Sequence, residues 1–238
     1  MDRRGRIDLV DSARGLAILG VVLFHVVWDL EYVGLISGIV RNEWWLLFGR
    51  FLAMSFMFLV GVSLVLAHRA GSRPGAFSKR VFVIMAAAAA ITAVTYVVFP
   101  QTFIYFGILH AIAAASFIGR PFVTIRLRIC AASIVLMFAA PFVFDMASFD
   151  TRWLAWTGLA ANPPASNDFV PVLPSVAFTL LGIVAARLLR KHTLAEGRIR
   201  SVANWAFLIW MGRNSLAIYL LHQPILLGVI VSAATLAN

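Results

Sequence analysis

The sequence predicts an all-α protein: a polytopic transmembrane helical bundle of about seven spans, with its amino terminus in the cytoplasm. Of its 238 residues, 62% are hydrophobic and 13% are charged, and the mean hydropathy is +0.92. A soluble domain of this length cannot cover so much apolar surface with so few polar residues. Several apolar runs approach the ~18 to 20 residues that cross a bilayer. Short clusters of Lys and Arg separate these runs, as the positive-inside rule predicts.

The first three spans are predicted at residues 13–33, 45–67 and 81–99, where the apolar runs are long enough to cross a bilayer. Asp11 or Ser12 is placed to cap the first of these helices. The third contains the alanine-rich stretch MAAAAAITA, a composition that favours close packing between helices.

Four further spans are predicted at residues 102–119, 129–144, 171–189 and 214–236. The run at 129–144 is short for a hydrocarbon layer about 30 Å thick. The segment 204–212 is too short to span and is predicted to be a re-entrant or interfacial helix. The long loop before the sixth span contains Asn-Pro-Pro, which breaks helices, and tryptophans that favour the membrane surface.

The basic residues predict how the bundle is oriented. Sixteen of the twenty lie in the amino-terminal tail and in the connections that share its side of the membrane, which is the cytoplasmic side by the positive-inside rule. The opposite loops are net acidic, so the carboxyl terminus is predicted to be extracytoplasmic. The sixteen are Arg3, Arg4, Arg6, Arg14, Arg69, Arg73, Lys79, Arg80, Arg120, Arg126, Arg128, Arg187, Arg190, Lys191, Arg198 and Arg200.

The formal charge of +10 does not indicate a nucleic-acid partner. The charge follows the loops, and no basic face with interleaved aromatic residues is visible. Cys130 is the only cysteine, so the sequence contains no intrachain disulfide and no thiol metal cluster, and no metal is expected. The expected partner is the lipid bilayer.

Three of the five histidines are predicted to lie near mid-membrane. The helical rise places His25 ~18 Å, His110 ~14 Å and His222 ~12 Å from the cytoplasmic face. Ionisable residues at such depths usually face the bundle interior or a hydrated cavity. Asp29 lies on the same helix face as His25, and a carboxylate on one ring nitrogen would make that imidazole a general base. Each histidine also has a structural interpretation, as a neutral imidazole hydrogen-bonded to a neighbouring helix or backbone.

Two more polar residues are candidates for binding the substrate near the outer face. Arg50 is at about the height of Asp29, so an Asp29–Arg50 ion pair is an alternative to Asp29–His25. Asp168 precedes the sixth span, where it could meet a polar acceptor or cap the loop.

The cytoplasmic side carries a candidate anion site. Arg14 lies at the start of the first span, and Arg213, Asn214 and Ser215 form a break before the last. Arginines beside a helix amino terminus bind phosphates well. The alternative is that these arginines only flank the spans, as the positive-inside rule requires.

The chain resembles the bacterial relatives of heparan-alpha-glucosaminide N-acetyltransferase, within the membrane acyltransferase-3 superfamily. Arg14 and His25, separated by ten residues, match the Arg/Lys-ten-His signature of that superfamily. Four blocks in order resemble the narrower family: IDLVDSARGLAILGVVLFHVVWDL, FGILHAIAAASFIG, NDFVPVLPSVAFTLLGIVAARLL and GRNSLAIYLLHQPIL.

The resemblance implies that residues 1–238 form a single transmembrane acyltransferase domain in the cell (inner) membrane. It implies acetyl-CoA or another acyl-CoA as the cytoplasmic co-substrate, and a sugar hydroxyl or amine on the far side as acceptor. His25, His110 and His222 match histidines of the corresponding blocks. The heparan enzyme, however, carries Asn at the place of His25 and has its proposed catalytic histidine in the following loop, where EYVGLISGIVRNEWW has none.

Two classes of function fit these features. The first is an acyltransferase with His25 as base, His222 or His110 as a helper, and Arg14 and Arg213 on the coenzyme phosphates. The second is a proton-coupled small-molecule transporter, because intramembrane His and Asp also relay protons. Inverted repeats with paired broken helices would favour transport, and only one possible break is present, near Gly212.

Overall fold

The computed structural model describes residues 8–71, 74–144, 146–193 and 205–237. Their regular structure is helical throughout, apart from two isolated bridges. The eight α-helices in the described ranges are α1 (Asp8–Tyr32), α2 (Glu43–Arg69), α3 (Pro74–Val98), α4 (Ile108–Phe122), α5 (Leu127–Val143), α6 (Val172–Thr193), α7 (Ala206–Arg213) and α8 (Ser215–Ala237).

Five of these helices are long and apolar enough to cross a membrane: α1, α2, α3, α6 and α8. The apolar helices α4 and α5 are shorter, at 15 and 17 residues, and stand where the fourth and fifth spans were predicted. The predicted all-α, multi-pass architecture is therefore confirmed. The short segment before the last span is also helical, as α7.

Three predicted span starts differ from the observed helix starts by more than four residues: α3 begins at Pro74 instead of residue 81, and the other two are those of α1 and α4. Helix α1 already includes Asp8, so Asp11 and Ser12 lie inside it, and the Ser12 hydroxyl donates to the Asp8 carbonyl rather than capping the helix. Helix α4 begins at Ile108 instead of residue 102. The preceding residues are not helical, and two of their carbonyls accept hydrogen bonds from the chain before α6. The two bonds run from Asn167 N to Thr102 O at 2.9 Å and from Val170 N to Phe106 O at 3.1 Å.

The chain divides into two compact units. The first contains α3 to α6 and the part of α2 from Phe56 onward. Within it, α2 and α6 pack closely: the Thr179 hydroxyl of α6 donates to the Met57 carbonyl of α2 at 2.9 Å. The loop before α6 carries two short 3-10 helices, and Trp153 between them is 87% exposed.

The second unit contains α1, the part of α2 up to Ser55, α7 and α8. Helices α1 and α7 meet backbone to backbone at two glycines. A Cβ atom on Gly15 would collide with the carbonyl of Leu208, and one on Gly212 with the carbonyl of Asp11. Only glycine allows so close an approach of two helices. This contact holds α1 and α7 together.

Several residues used to predict orientation lie outside the described ranges. They are Arg3, Arg4, Arg6, Arg73, Arg198 and Arg200, together with Asn204 at the start of the predicted short helix.

Candidate active site

The second unit brings two of the three predicted histidines together. His25 of α1 and His222 of α8 have ring centroids 4.7 Å apart, with their planes at 84°. His222 is buried, at 8% exposure, and His25 is half-buried. Two imidazoles from helices at opposite ends of the sequence therefore touch edge to face.

Backbone hydrogen bonds set the tautomer of both rings. Nδ1 of His25 lies 2.9 Å from the Val21 carbonyl, and Nδ1 of His222 lies 2.7 Å from the Tyr219 carbonyl. A carbonyl oxygen can only accept, so each neutral ring carries its proton on Nδ1 and a lone pair on Nε2. Neither Nε2 has a hydrogen-bond partner in the described part of the chain, and that of His222 is buried. Both rings thus carry an unprotonated Nε2 that makes no hydrogen bond within the described residues.

Asp29 pairs with a residue that the sequence did not indicate. It is fully buried, at 0% exposure, and its Oδ1 accepts a hydrogen bond of 2.8 Å from Nε2 of Gln223. Among the described residues it bonds to neither of its predicted partners, because Nδ1 of His25 turns back to its own helix and Arg50 is exposed on α2. The predicted orientation of His25 by Asp29 is therefore wrong: the Val21 carbonyl performs that role.

Four buried polar atoms of this unit have no hydrogen-bond partner in the described part of the chain. Three are acceptors: Oδ2 of Asp29, Oε1 of Gln223 and, in the tautomer above, Nε2 of His222. The fourth is a donor, the indole nitrogen of Trp45, whose ring stacks on Phe24 at 5.3 Å. Buried polar groups are rarely left unsatisfied, so each of these four atoms has the capacity for a further hydrogen bond to a polar partner.

The two predicted phosphate-binding arginines meet at one carboxylate. Asp11 accepts from Arg14 Nη1 at 3.1 Å and from Arg213 Nε at 3.2 Å, and Asp8 accepts from Arg213 Nη2 at 3.0 Å. The structure thus brings Arg14 and Arg213 together, but it pairs them with carboxylates. The four formal charges sum to zero.

Asn214 and Ser215 form the junction between α7 and α8. The Asn214 side-chain amide donates to the Trp210 carbonyl at 2.9 Å and so caps α7. The backbone carbonyl of Asn214 accepts a hydrogen bond from Ile218 N in the first turn of α8, and Ser215 begins that helix. The junction therefore places the amino terminus of α8 directly after Arg213.

His110 lies in the first unit, and both of its ring nitrogens are in use. Nδ1 accepts a hydrogen bond from Gly107 N at 3.2 Å, so the proton sits on Nε2, which is 3.3 Å from the Thr92 hydroxyl. That hydroxyl in turn donates to the Ile104 carbonyl at 2.7 Å. These bonds tie the start of α4 to α3 and favour a structural role for His110.

Asp168 also serves the start of α4. Its Oδ2 accepts a hydrogen bond of 2.8 Å from the backbone nitrogen of Ile108, the first residue of that helix. A carboxylate in this position satisfies an unpaired N–H and complements the helix dipole. Asp168 therefore caps α4, which is neither the contact with a polar acceptor nor the cap of its own loop that the sequence offered.

Comparison with protein families decides the assignment. Residues 6–224 match the family model described as heparan-alpha-glucosaminide N-acetyltransferase, catalytic. The chain belongs to this family. A search of curated proteins and a search of solved structures found no match.

Membership of the heparan-alpha-glucosaminide N-acetyltransferase family implies a membrane-bound acetyltransferase and does not favour the transporter alternative. The match covers α1 to α7 and ends just after Gln223, so all of the residues discussed for the candidate site fall inside it. Among the described residues no group of three or more His, Cys, Asp or Glu side chains could hold a metal ion.

Gln223 is the site residue that sequence reasoning missed. It follows His222 directly and precedes Pro224, which interrupts the hydrogen bonding of α8. A carboxamide at this depth in an apolar helix is itself a signal, because it must find a partner inside the bundle.

Proposed function

We propose that this protein is an integral membrane acetyltransferase that transfers an acetyl group from acetyl-CoA to an N–H or O–H acceptor of the cell envelope, such as an amino sugar. The observation that supports it most directly is the contact of His25 and His222, with both Nε2 lone pairs free. Because the chain belongs to an acetyltransferase family, acetyl transfer is the reaction in which those lone pairs would accept a proton.

His25 acts as the general base. Its Nδ1–H is held by the Val21 carbonyl, so Nε2 points away from the backbone bond and can take the acceptor's proton. As the proton leaves, the acceptor nitrogen or oxygen attacks the thioester carbonyl, the C–S bond breaks, and CoA leaves as a thiolate. The thiolate recovers the proton from the imidazolium, so the products are the acetylated acceptor and CoA with a free thiol.

His222 supports the base from 4.7 Å away. A neutral imidazole with a lone pair on Nε2 can share the proton that His25 accepts, and thereby stabilises the charged intermediate. General-base assistance of this kind contributes about 100- to 10,000-fold in rate.

The donor enters from the side of Arg14 and Arg213. Arg213 is the more exposed of the two, at 43% of its side chain, and it can exchange Asp8 for a CoA phosphate. Asn214 and Ser215 add the amino terminus of α8, where a phosphate is favoured. Seven residues separate Ser215 from His222, about 10 Å along the helix, which the extended pantetheine arm can cover.

In this proposal the protein lies in the inner membrane, with α1 starting on the cytoplasmic side and α8 ending outside. The clustering of basic residues in alternate connections supports this orientation. Acetyl-CoA then binds on the side where it is made, and the acceptor lies across the membrane. Arg50, exposed on α2, stays a predicted contact for that acceptor.

The experiment that tests the proposal uses purified protein in detergent with labelled acetyl-CoA, and measures both acetyl transfer and release of the CoA thiol. His25→Ala is expected to lower the rate by at least about 100-fold. His68→Ala, at an exposed histidine near the end of α2, is the matched control. Unchanged transfer in His25→Ala would remove His25 from the mechanism.

A further inference from the structure

The pairing of Asp29 with Gln223 leaves an oxygen unused on each partner. Oδ1 of Asp29 accepts from Nε2 of Gln223, while Oδ2 of Asp29 and Oε1 of Gln223 have no hydrogen-bond partner within the described ranges. Both atoms are buried, and Asp29 has no exposed surface. Acceptors left this way are destabilising unless a guest donates to them.

The nearest polar neighbours along α1 and α8 are also hydrogen-bond acceptors. His222, adjacent to Gln223, carries a buried lone pair on Nε2, and His25 lies one helical turn before Asp29. The unsatisfied atoms on α1 and α8 are therefore acceptors, and a carboxylate is among them. A group that binds here must offer hydrogens.

We infer that Asp29 and Gln223 position the acceptor substrate, whose nucleophile-bearing group donates N–H or O–H hydrogen bonds to Oδ2 of Asp29 and Oε1 of Gln223. The inference rests on the proposed function. The thioester oxygen and the phosphates of acetyl-CoA do not suit these atoms, because they are acceptors themselves. The pair thus recognises the acceptor substrate, while acetyl-CoA binds near Arg14 and Arg213.

Exchanging the two functional groups provides a sharp test. In Asp29→Asn the Gln223 amide can still donate to the new side chain, but the atom that replaces Oδ2 becomes a donor. In the double variant Asp29→Asn with Gln223→Glu, the hydrogen bond runs the other way and both outer atoms are acceptors again. The double variant therefore restores the negative charge, now on α8 instead of α1, and restores one unpaired acceptor oxygen on each helix.

The assay uses the full chain in detergent, acetyl-CoA as donor, and two probe acceptors: glucosamine, which offers an amine, and N-acetylglucosamine, which offers only hydroxyls. In Asp29→Asn the KM for the working acceptor is expected to rise about 10- to 100-fold, the cost of a lost charge-assisted hydrogen bond. The KM for acetyl-CoA should stay within about twofold. The double variant should recover acceptor KM to within about fivefold of the unmodified protein. Glu43→Gln, an exposed carboxylate at the start of α2, is the matched control.

The outcomes separate this inference from the proposed function. An Asp29→Asn protein that keeps its acceptor KM, or a double variant that gains nothing over the single one, overturns the inference and leaves the histidine base standing. CoA release that depends on His25 but is stimulated by neither probe also overturns it. If Asp29→Asn does not fold, Gln223→Met, which removes the amide without adding charge, must raise the acceptor KM about tenfold. No release of CoA by the unmodified protein would defeat the proposed function itself.

Discussion

The side-chain amide of Gln223 donates a hydrogen bond of 2.8 Å to the carboxylate of Asp29, from 194 positions further along the chain. One turn earlier on α1, His25 meets His222. Helices α1 and α8 are thus joined by two polar contacts inside an apolar pair. Because polar contacts in hydrocarbon have few alternatives, they determine which faces of the two helices are in contact.

The two imidazoles are expected to act as one unit in the reaction. His222→Ala should lower kcat by about 10- to 100-fold, less than His25→Ala, because it removes a proton-sharing partner and leaves the base. The double variant should be no more than about threefold slower than His25→Ala alone, since His222 can assist only a base that is present. Steady-state rates of the four proteins give the coupling. Fully multiplicative losses would show that the two rings act independently.

The carboxylates on α1 are expected to compete with acetyl-CoA for Arg213. Asp8→Asn removes the partner 3.0 Å from Arg213 Nη2, so the KM for acetyl-CoA should fall by about two- to fivefold. Arg213→Ala should raise that KM about tenfold. Arg128→Ala, at an exposed arginine of α5, serves as the control for charge alone. A lower acetyl-CoA affinity in Asp8→Asn would contradict the competition.

The backbone contact between α1 and α7 is expected to tolerate no side chain. Gly212→Ala should destabilise the protein by about 1 to 3 kcal/mol, because its Cβ would overlap the Asp11 carbonyl. Gly228→Ala is the matched control on α8, where a Cβ meets no atom and the better helix former should be neutral or stabilising by up to about 1 kcal/mol. Thermal unfolding in detergent measures both. Equal midpoints for the two variants would contradict the close approach.

His110 is expected to matter for folding more than for catalysis. His110→Phe removes the hydrogen bonds to Gly107 N and the Thr92 hydroxyl, which should cost about 1 to 3 kcal/mol of stability. The kcat per folded molecule should change by less than about threefold, since neither ring nitrogen is free to move a proton. Circular dichroism melting and an active-site count distinguish the two effects. A stable variant with a 100-fold lower kcat would restore the catalytic prediction for this residue.

The helical membrane architecture was predictable because hydropathy is a local property. Each predicted span is matched by a helix, and the depth of His25 and His222 along their own helices correctly suggested that they could meet. What hydropathy cannot specify is the rotation of a helix about its axis. The choice of Gln223 over His25 as partner of Asp29 depends on that rotation, and so does the convergence of Arg14 and Arg213 on Asp11.

The start of α4 shows a second limit of sequence reasoning. Residues 102–107 are apolar enough to continue a helix, but their backbone pairs with residues 167–170 instead, and Asp168 caps the helix that follows. Such main-chain pairing across a long loop leaves no periodic signal. The carboxylate that the sequence offered as a substrate contact is used for this purpose.

Helices from the two ends of the sequence make up the second unit, and this has a consequence for biosynthesis. Helix α1 is translated before α8, so the partners of Asp29 and His25 arrive only after helices α2 to α7 have been made. During that interval an unpaired carboxylate and an imidazole must be sheltered at the insertion machinery or hydrated within the nascent bundle. Expression of the protein should therefore depend on the cellular insertase more strongly than its apolar composition alone would require.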